Sequence, residues 1–176
     1  MTVSEQIWYK RQASLCSLAV SMHPLSHNEK GFFLGGGMTG RFELVDHTGD
    51  LGVRLFGESL PRLFEQAAQA LTFIFTDPAT IELKETRKLL LEAKTDEELL
   101  ITWLNELIYL FDIEGLLFKA YDVLSVHDHH LEALARGEVY VEGRHPIKTT
   151  VKAATYHQLK IGKHQGVWSA QVIFDL

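Results

Sequence analysis

The chain has 176 residues, 46% of them hydrophobic, a formal net charge of −6 and a single cysteine. That length suits one domain around one core, and the acidic balance offers no global basic field for gripping nucleic acid. The lone Cys16 excludes a disulfide scaffold or thiolate zinc site within the chain and points to the cytoplasm, and no apolar run reaches the roughly 20 residues of a membrane span.

Residues 1–38 read differently from the rest. They carry three basic and two acidic residues, so the remaining chain sits near −7. Leu15 to Val20 is a largely apolar segment six residues long after Lys10 and Arg11, too short for the roughly 7–15-residue core of a signal peptide. Gly35-Gly36-Gly37 then marks a flexible joint, and Met38 is a second candidate start. The expectation is a flexible or spurious extension over 1–38 and a folded domain over 39–176.

From Thr39 the pattern tightens. Phe42 to Asp46 and Leu51 to Phe56 read as two strands joined by an acidic connection. Ser59 is placed to cap a helix with Pro61 in its first turn; Leu60, Phe64, Ala67, Leu71 and Phe75 then recur at helical spacing. Thr76-Asp77-Pro78 stops that helix. Arg87 to Ala93 reads as a strand. Thr95 with Glu98 has the form of a capping box and opens a helix over 97–111 whose apolar face holds Leu99, Leu100, Trp103, Leu104, Leu107, Ile108 and Phe111. Gly115 closes it. Strands follow at Leu116 to Val126, His130 to Ala135, Glu138 to Val141, Thr150 to Ile161 and Val167 to Phe174, with breaks at Asp128 and Gly137 and a hairpin connection over Gly162 to Gly166. The connections are too short for parallel crossovers. About seven strands and two helices in this order predict an α+β domain: mostly antiparallel sheet layers packed with two amphipathic helices.

The chemistry concentrates in few places. Asp46 and Asp50 lie four apart, and Asp175 stands one residue before the end at Leu176. Carboxylates are hard oxygen ligands of the kind calcium, magnesium and manganese select. If the last strand runs beside the first two, Asp50 and Asp175 face each other across a strand end, where two carboxylates repel unless a cation lies between them. On spacing alone the plainer account carries more weight: an aspartate bonding turn amides and a loose terminus. His47 has the same two readings, ligand or turn hydrogen-bonder. His127, His129 and His130 form a tract at an expected hairpin turn, read as lacking a supporting set of carboxylates or cysteines in sequence and therefore as solvent-exposed. His145 and His157 are widely separated. Lys152 on a largely apolar strand calls for an acid such as Asp46, Asp50 or Glu106, unless it lies in water on an edge strand. No nucleophilic triad, phosphate-binding loop or zinc spacing is present.

Taken together, these residues resemble the archease family. The match rests on Phe42 to Asp50 as the family's opening aspartate–histidine–threonine–alanine–aspartate motif; on Trp103-Leu104-Asn105-Glu106-Leu107 with Phe111-Asp112; on Gly137-Glu138, Arg144-His145 and Val151 to His157; and on Val172-Ile173-Phe174-Asp175-Leu176. The resemblance spans about residues 41–176. It implies a non-catalytic, metal-binding accessory protein of the RtcB-type RNA ligase of tRNA splicing and RNA repair, which promotes guanylylation of the ligase and its multiple turnover and touches RNA only through that ligase. It implies further that a divalent ion, taken in the family to be calcium and with magnesium or manganese as alternatives, is held by Asp50, Asp175 and Leu176. Gly49 replaces the usual alanine and Leu176 a usual isoleucine; neither change removes a ligand. The resemblance leaves Asp46, His47, Glu106 and Lys152 without assigned roles. Two other functions stay open: a chaperone-like modulator of partner oligomerisation, and a stand-alone metal-dependent hydrolase built on Asp46, His47 and Asp50.

Overall fold

A computed structural model describes residues 41–47 and 50–176, with backbone alone for Arg41, Asp46 and His47. The expected extension over 1–38 and the turn residues Thr48 and Gly49 lie outside the described residues. Among the described residues, seven strands and two long helices follow in the order β1 (Arg41–His47), β2 (Asp50–Gly57), α1 (Leu60–Phe75), β3 (Glu85–Glu92), α2 (Asp96–Glu114), β4 (Leu116–His127), β5 (His130–Val139), β6 (Ala153–His164) and β7 (Val167–Asp175). A single 3-10 turn, Pro78–Thr80, sits between α1 and β3. The strands form two antiparallel sheets, one ordered β1-β2-β7-β6 and the other β3-β5-β4. The expected α+β class is the one observed.

Local chemistry sets the helix ends. Ser59 Oγ accepts the Arg62 N–H at 3.3 Å and opens α1. Thr95 Oγ1 accepts the Glu98 N–H at 3.1 Å and opens α2. Glu98 reaches back, as a capping box requires, but to the Lys94 N–H at 3.0 Å, one residue before the cap. Gly115 ends α2 with φ of +69°, and its N–H donates to the Leu110 and Phe111 carbonyls. Only a residue tolerant of that left-handed backbone closes a helix in this way.

The helices fill the space beside the two sheets. α1 packs on β4 and β2, and α2 packs on β6. Trp103 is fully buried between them. Its Nε1–H donates to the Phe64 carbonyl at 3.1 Å, so the ring's one polar atom is satisfied inside the core. Val53 and Leu55 from β2, Val172 and Phe174 from β7, and Ala133 and Ala135 from β5 close the same core, each 1% exposed or less.

Three sequence expectations fail here, one of them the strand expected from Thr150, which begins as β6 only at Ala153. Gly137 does not interrupt a strand: it lies inside β5, opposite Glu85 on one side and Phe118 on the other. A Cβ at this position would lie 1.8 Å from the Leu117 carbonyl oxygen. The glycine marks a close backbone approach beside a β4 irregularity between Phe118 and Ala120. Of the strand expected over 138–141, Glu138 and Val139 are the end of β5, and Tyr140 and Val141 lie beyond it outside any strand. The β6–β7 connection is also tighter than expected. Gly162, Lys163 and His164 stay in β6, paired with Ser169, Trp168 and Val167, and only Gln165 and Gly166 turn.

Candidate metal centre at the end of the four-stranded sheet

Strand register builds this end of the molecule. β2 pairs antiparallel with β7 as far as Leu51 opposite Phe174, which leaves Asp50 and Asp175 as the next residue on each strand. β1 places His47 opposite Asp50, and β6 places Ala153 opposite Asp175. The pair His47–Asp50 and the pair Ala153–Asp175 thus lie at the same end of the four-stranded sheet. Chain positions more than a hundred residues apart meet because β7 inserts between β2 and β6. Asp46 stands opposite Leu51 in the same ladder.

β6 is held in place from outside the sheet. The Asn105 side chain on α2 accepts the Ala154 N–H at 2.8 Å and donates to the Ala154 carbonyl at 3.2 Å. It occupies the free hydrogen-bonding edge of β6 where a further strand would otherwise pair. This anchors Lys152, two residues earlier, against the end of β7. The Lys152 N–H donates to the Asp175 carbonyl at 2.8 Å. The Lys152 ammonium donates to the Leu176 main-chain oxygen at 2.5 Å and stands 3.9 Å from Asp175 Oδ1. Sequence reasoning expected Lys152 either to pair with Asp46, Asp50 or Glu106 or to lie in water on an edge strand. It sits at the head of an edge strand, largely exposed, and its partners are Asp175 and Leu176. Glu106 is half-buried on α2.

Asp50 is half-buried, while Asp175 and Leu176 are exposed. Among the described residues no three His, Cys, Asp or Glu side chains are grouped to hold a metal ion. The set expected from the sequence is of another kind: two aspartates and a main-chain oxygen. Its donors are all hard oxygens, and a cationic group already rests on one of them. Those two facts fit a hard divalent ion.

The histidine tract stands elsewhere, at the β4–β5 hairpin. Asp128 and His129 form its two-residue turn at φ of +48° and +60°. All three histidines are exposed, as expected, but the fold supplies the carboxylates that the sequence did not show. His129 Nδ1 lies 2.7 Å from Asp96 Oδ1 at the start of α2, and His130 Nε2 lies 3.5 Å from Glu92 Oε2 on β3.

A second polar centre went unread in the sequence. Glu138 is 3% exposed. Its Oε1 accepts the Glu82 N–H at 2.7 Å and lies 3.2 Å from His145 Nε2. Its Oε2 accepts from Lys84 Nζ at 3.0 Å and from Arg144. The buried His145 accepts the Val141 N–H on Nδ1 at 2.9 Å, which leaves its proton on Nε2, directed at Glu138. Burial alone would raise the Glu138 pKa, but the Glu82 N–H, Lys84, His145 and Arg144 outweigh it and hold the group at about 2. Lys84, bonded to Glu82 and Glu138, is raised above its ordinary value. Glu138, Arg144 and His145 were in view only as matched residues; no periodicity marks a buried ion network.

Residues 42–176 match the Archease protein family (MTH1598/TM1083). The archease of Methanosarcina mazei is 35% identical over 140 residues, which cover 77% of this chain and 96% of the relative. That of Pyrococcus abyssi is 39% identical over 140 residues, covering 77% and 99%. The solution structure of Methanobacterium thermoautotrophicum protein 1598 superposes with a TM-score of 0.68 at 36% identity, over 77% of this chain and 98% of that one. An archease of Thermotoga maritima, described as a possible chaperone, shares the fold at a TM-score of 0.53 and 23% identity over 75% and 94% of the two chains. The chain belongs to the archease family.

Proposed function

We propose that this protein is a non-catalytic accessory factor of an RtcB-type RNA ligase, and that it acts through a divalent ion held by Asp50, Asp175 and the carboxyl end at Leu176. One observation supports this reading: the β2–β7 ladder runs as far as Leu51 opposite Phe174, so Asp50 and Asp175, the next residue on each strand, come to the same sheet end, with Lys152 on the Leu176 oxygen beside Asp175. Calcium is the first candidate, and magnesium and manganese use the same oxygen chemistry. The bound ion would supply positive charge on an otherwise acidic surface. The chain's own residues position it: β2 and β7 set the two carboxylates, and Asn105 fixes the start of β6 behind them. The ligase's nucleotide pocket is the surface this end would meet, where it would favour GTP placed for transfer to the ligase histidine. The factor turns over no substrate of its own.

The deciding measurement is guanylylation of a purified ligase with and without this protein. Wild type is expected to accelerate it, and Asp50→Ala and Asp175→Ala are each expected to lose at least about tenfold of that effect. No acceleration by wild type sinks the partner; full acceleration by both variants sinks the metal site and leaves the partner. Hydrolysis of phosphoesters by the protein alone would favour the enzyme reading over this one.

A further inference from the structure

The Lys152 contacts carry an inference about how that site is filled, and it rests on the metal reading above. The Lys152 side chain is 65% exposed and that of Asp175 is 54% exposed. Packing therefore does not confine the ammonium. A lysine in water samples many rotamers, and holding one costs side-chain entropy. This one folds back over its own strand partner to reach Leu176 O at 2.5 Å. The backbone bond from Lys152 N–H to Asp175 O at 2.8 Å sets the root of the side chain so that this reach is short.

The oxygen it occupies is one of the three groups assigned to the ion. A protonated lysine has three donors and no acceptor, so it is no metal ligand. An ammonium and a divalent ion on the same oxygen would also repel each other strongly at that range. We propose that Lys152 is the resident counter-ion of this sheet end, and that a divalent cation enters by displacing its ammonium from the Leu176 oxygen. The two states exclude each other. Without metal, the lysine keeps Asp175 and the carboxyl end from standing uncompensated. With metal, the lysine swings into solvent beside the ion. The displacement lowers the apparent metal affinity and keeps binding reversible.

The test pairs calorimetry with nuclear magnetic resonance on the full chain, using calcium, magnesium and manganese in turn. Lys152→Met leaves the carboxylates intact and removes the competitor, and it is expected to bind the ion about tenfold more tightly than wild type. In wild type, the hydrogen-bonded Lys152 side-chain resonance, assigned by its absence from Lys152→Met, is expected to move to the position of a free lysine at metal saturation. Asp50→Asn in the Lys152→Met background is expected to abolish the gain. Equal or weaker binding by Lys152→Met, or a lysine resonance unmoved by bound metal, overturns the displacement and spares the metal site. Undiminished binding by the double variant puts the ion elsewhere and overturns the proposal. Binding of no ion by any of the variants overturns both this inference and the reading beneath it.

Discussion

Glu138 and Asp175 are both carboxylates close to lysines, and they stand in opposite surroundings. Glu138 is sealed and saturated: four donors converge on its two oxygens, from Glu82, Lys84, Arg144 and His145. Asp175 is exposed, and the Lys152 ammonium stands 3.9 Å from its Oδ1. A carboxylate whose acceptor sites are all filled by its own chain has nothing left to offer a ligand and stabilises the fold. One left exposed at a sheet end keeps oxygens open to solvent, which is the setting the proposed cation site requires. The number and burial of the donors separate the two cases, where residue type does not.

Breaking the sealed network should have the largest effect on stability. Glu138→Ala leaves Lys84, Arg144 and His145 around an empty acceptor, and the melting temperature is expected to fall by about 10 °C, measured by calorimetry near neutral pH. Asp175→Ala is the counterpart: it should leave the melting temperature within about 2 °C of wild type while removing ligase stimulation. A loss of fold in Asp175→Ala, or none in Glu138→Ala, would erase the contrast.

Acid sharpens it next. The folded Glu138 pKa of about 2 lies below its ordinary 4.5. The folded state binds this proton more weakly than the unfolded state does. The network's stabilisation is therefore complete above 4.5 and is lost as pH falls from there towards about 2. Denaturant titrations over that window should show a steeper loss in wild type than in Glu138→Gln, which has no carboxylate there to protonate.

A subtler change is to extend the chain beyond Leu176 with a few residues. That replaces a carboxyl end by a neutral peptide carbonyl, and it should weaken calcium about tenfold without altering the fold. Unchanged affinity would remove the carboxyl end from the ligand set. The smallest effect is expected at the exposed pair Arg87–Glu114, 2.7 Å apart. Arg87→Ala should shift stability by less than about 1 kcal/mol, and a larger loss would show that exposure is a poor guide to the worth of an ion pair here.

Much of the fold was legible because its signals are local. Ser59, Thr95 and Gly115 act within a few residues of themselves, so the ends of α1 and α2 followed from chemistry readable along the chain. α2 still ran to Glu114, three residues past the expected Phe111, because its last turn keeps its hydrogen bonds until Gly115 reverses the backbone. Gly137 misled for a related reason. Along a sequence, a glycine that ends a strand and one that lets two strands approach look alike, and only the neighbouring Leu117 carbonyl tells them apart. The candidate site was half legible. Asp50 and Asp175 stood out as acids next to strand ends, but the true partners of Lys152 did not, because they depend on which strand lies beside β6.

By itself the sequence determined the element types, the caps, the antiparallel hairpins and the membership carried by residues 42–176. Hydrophobic period, capping chemistry and turn residues act over a few positions and need no knowledge of the rest of the chain. Tertiary structure alone decided that β7 lies between β2 and β6, that the strand ends carrying Asp50 and Asp175 share one end of the sheet, that Lys152 rests on the Leu176 oxygen, and that Glu138 is buried under four donors. Those are long-range pairings. They arise when two sheets bury their apolar faces against the same two helices, and burial of that kind selects strand order by the fit of whole surfaces.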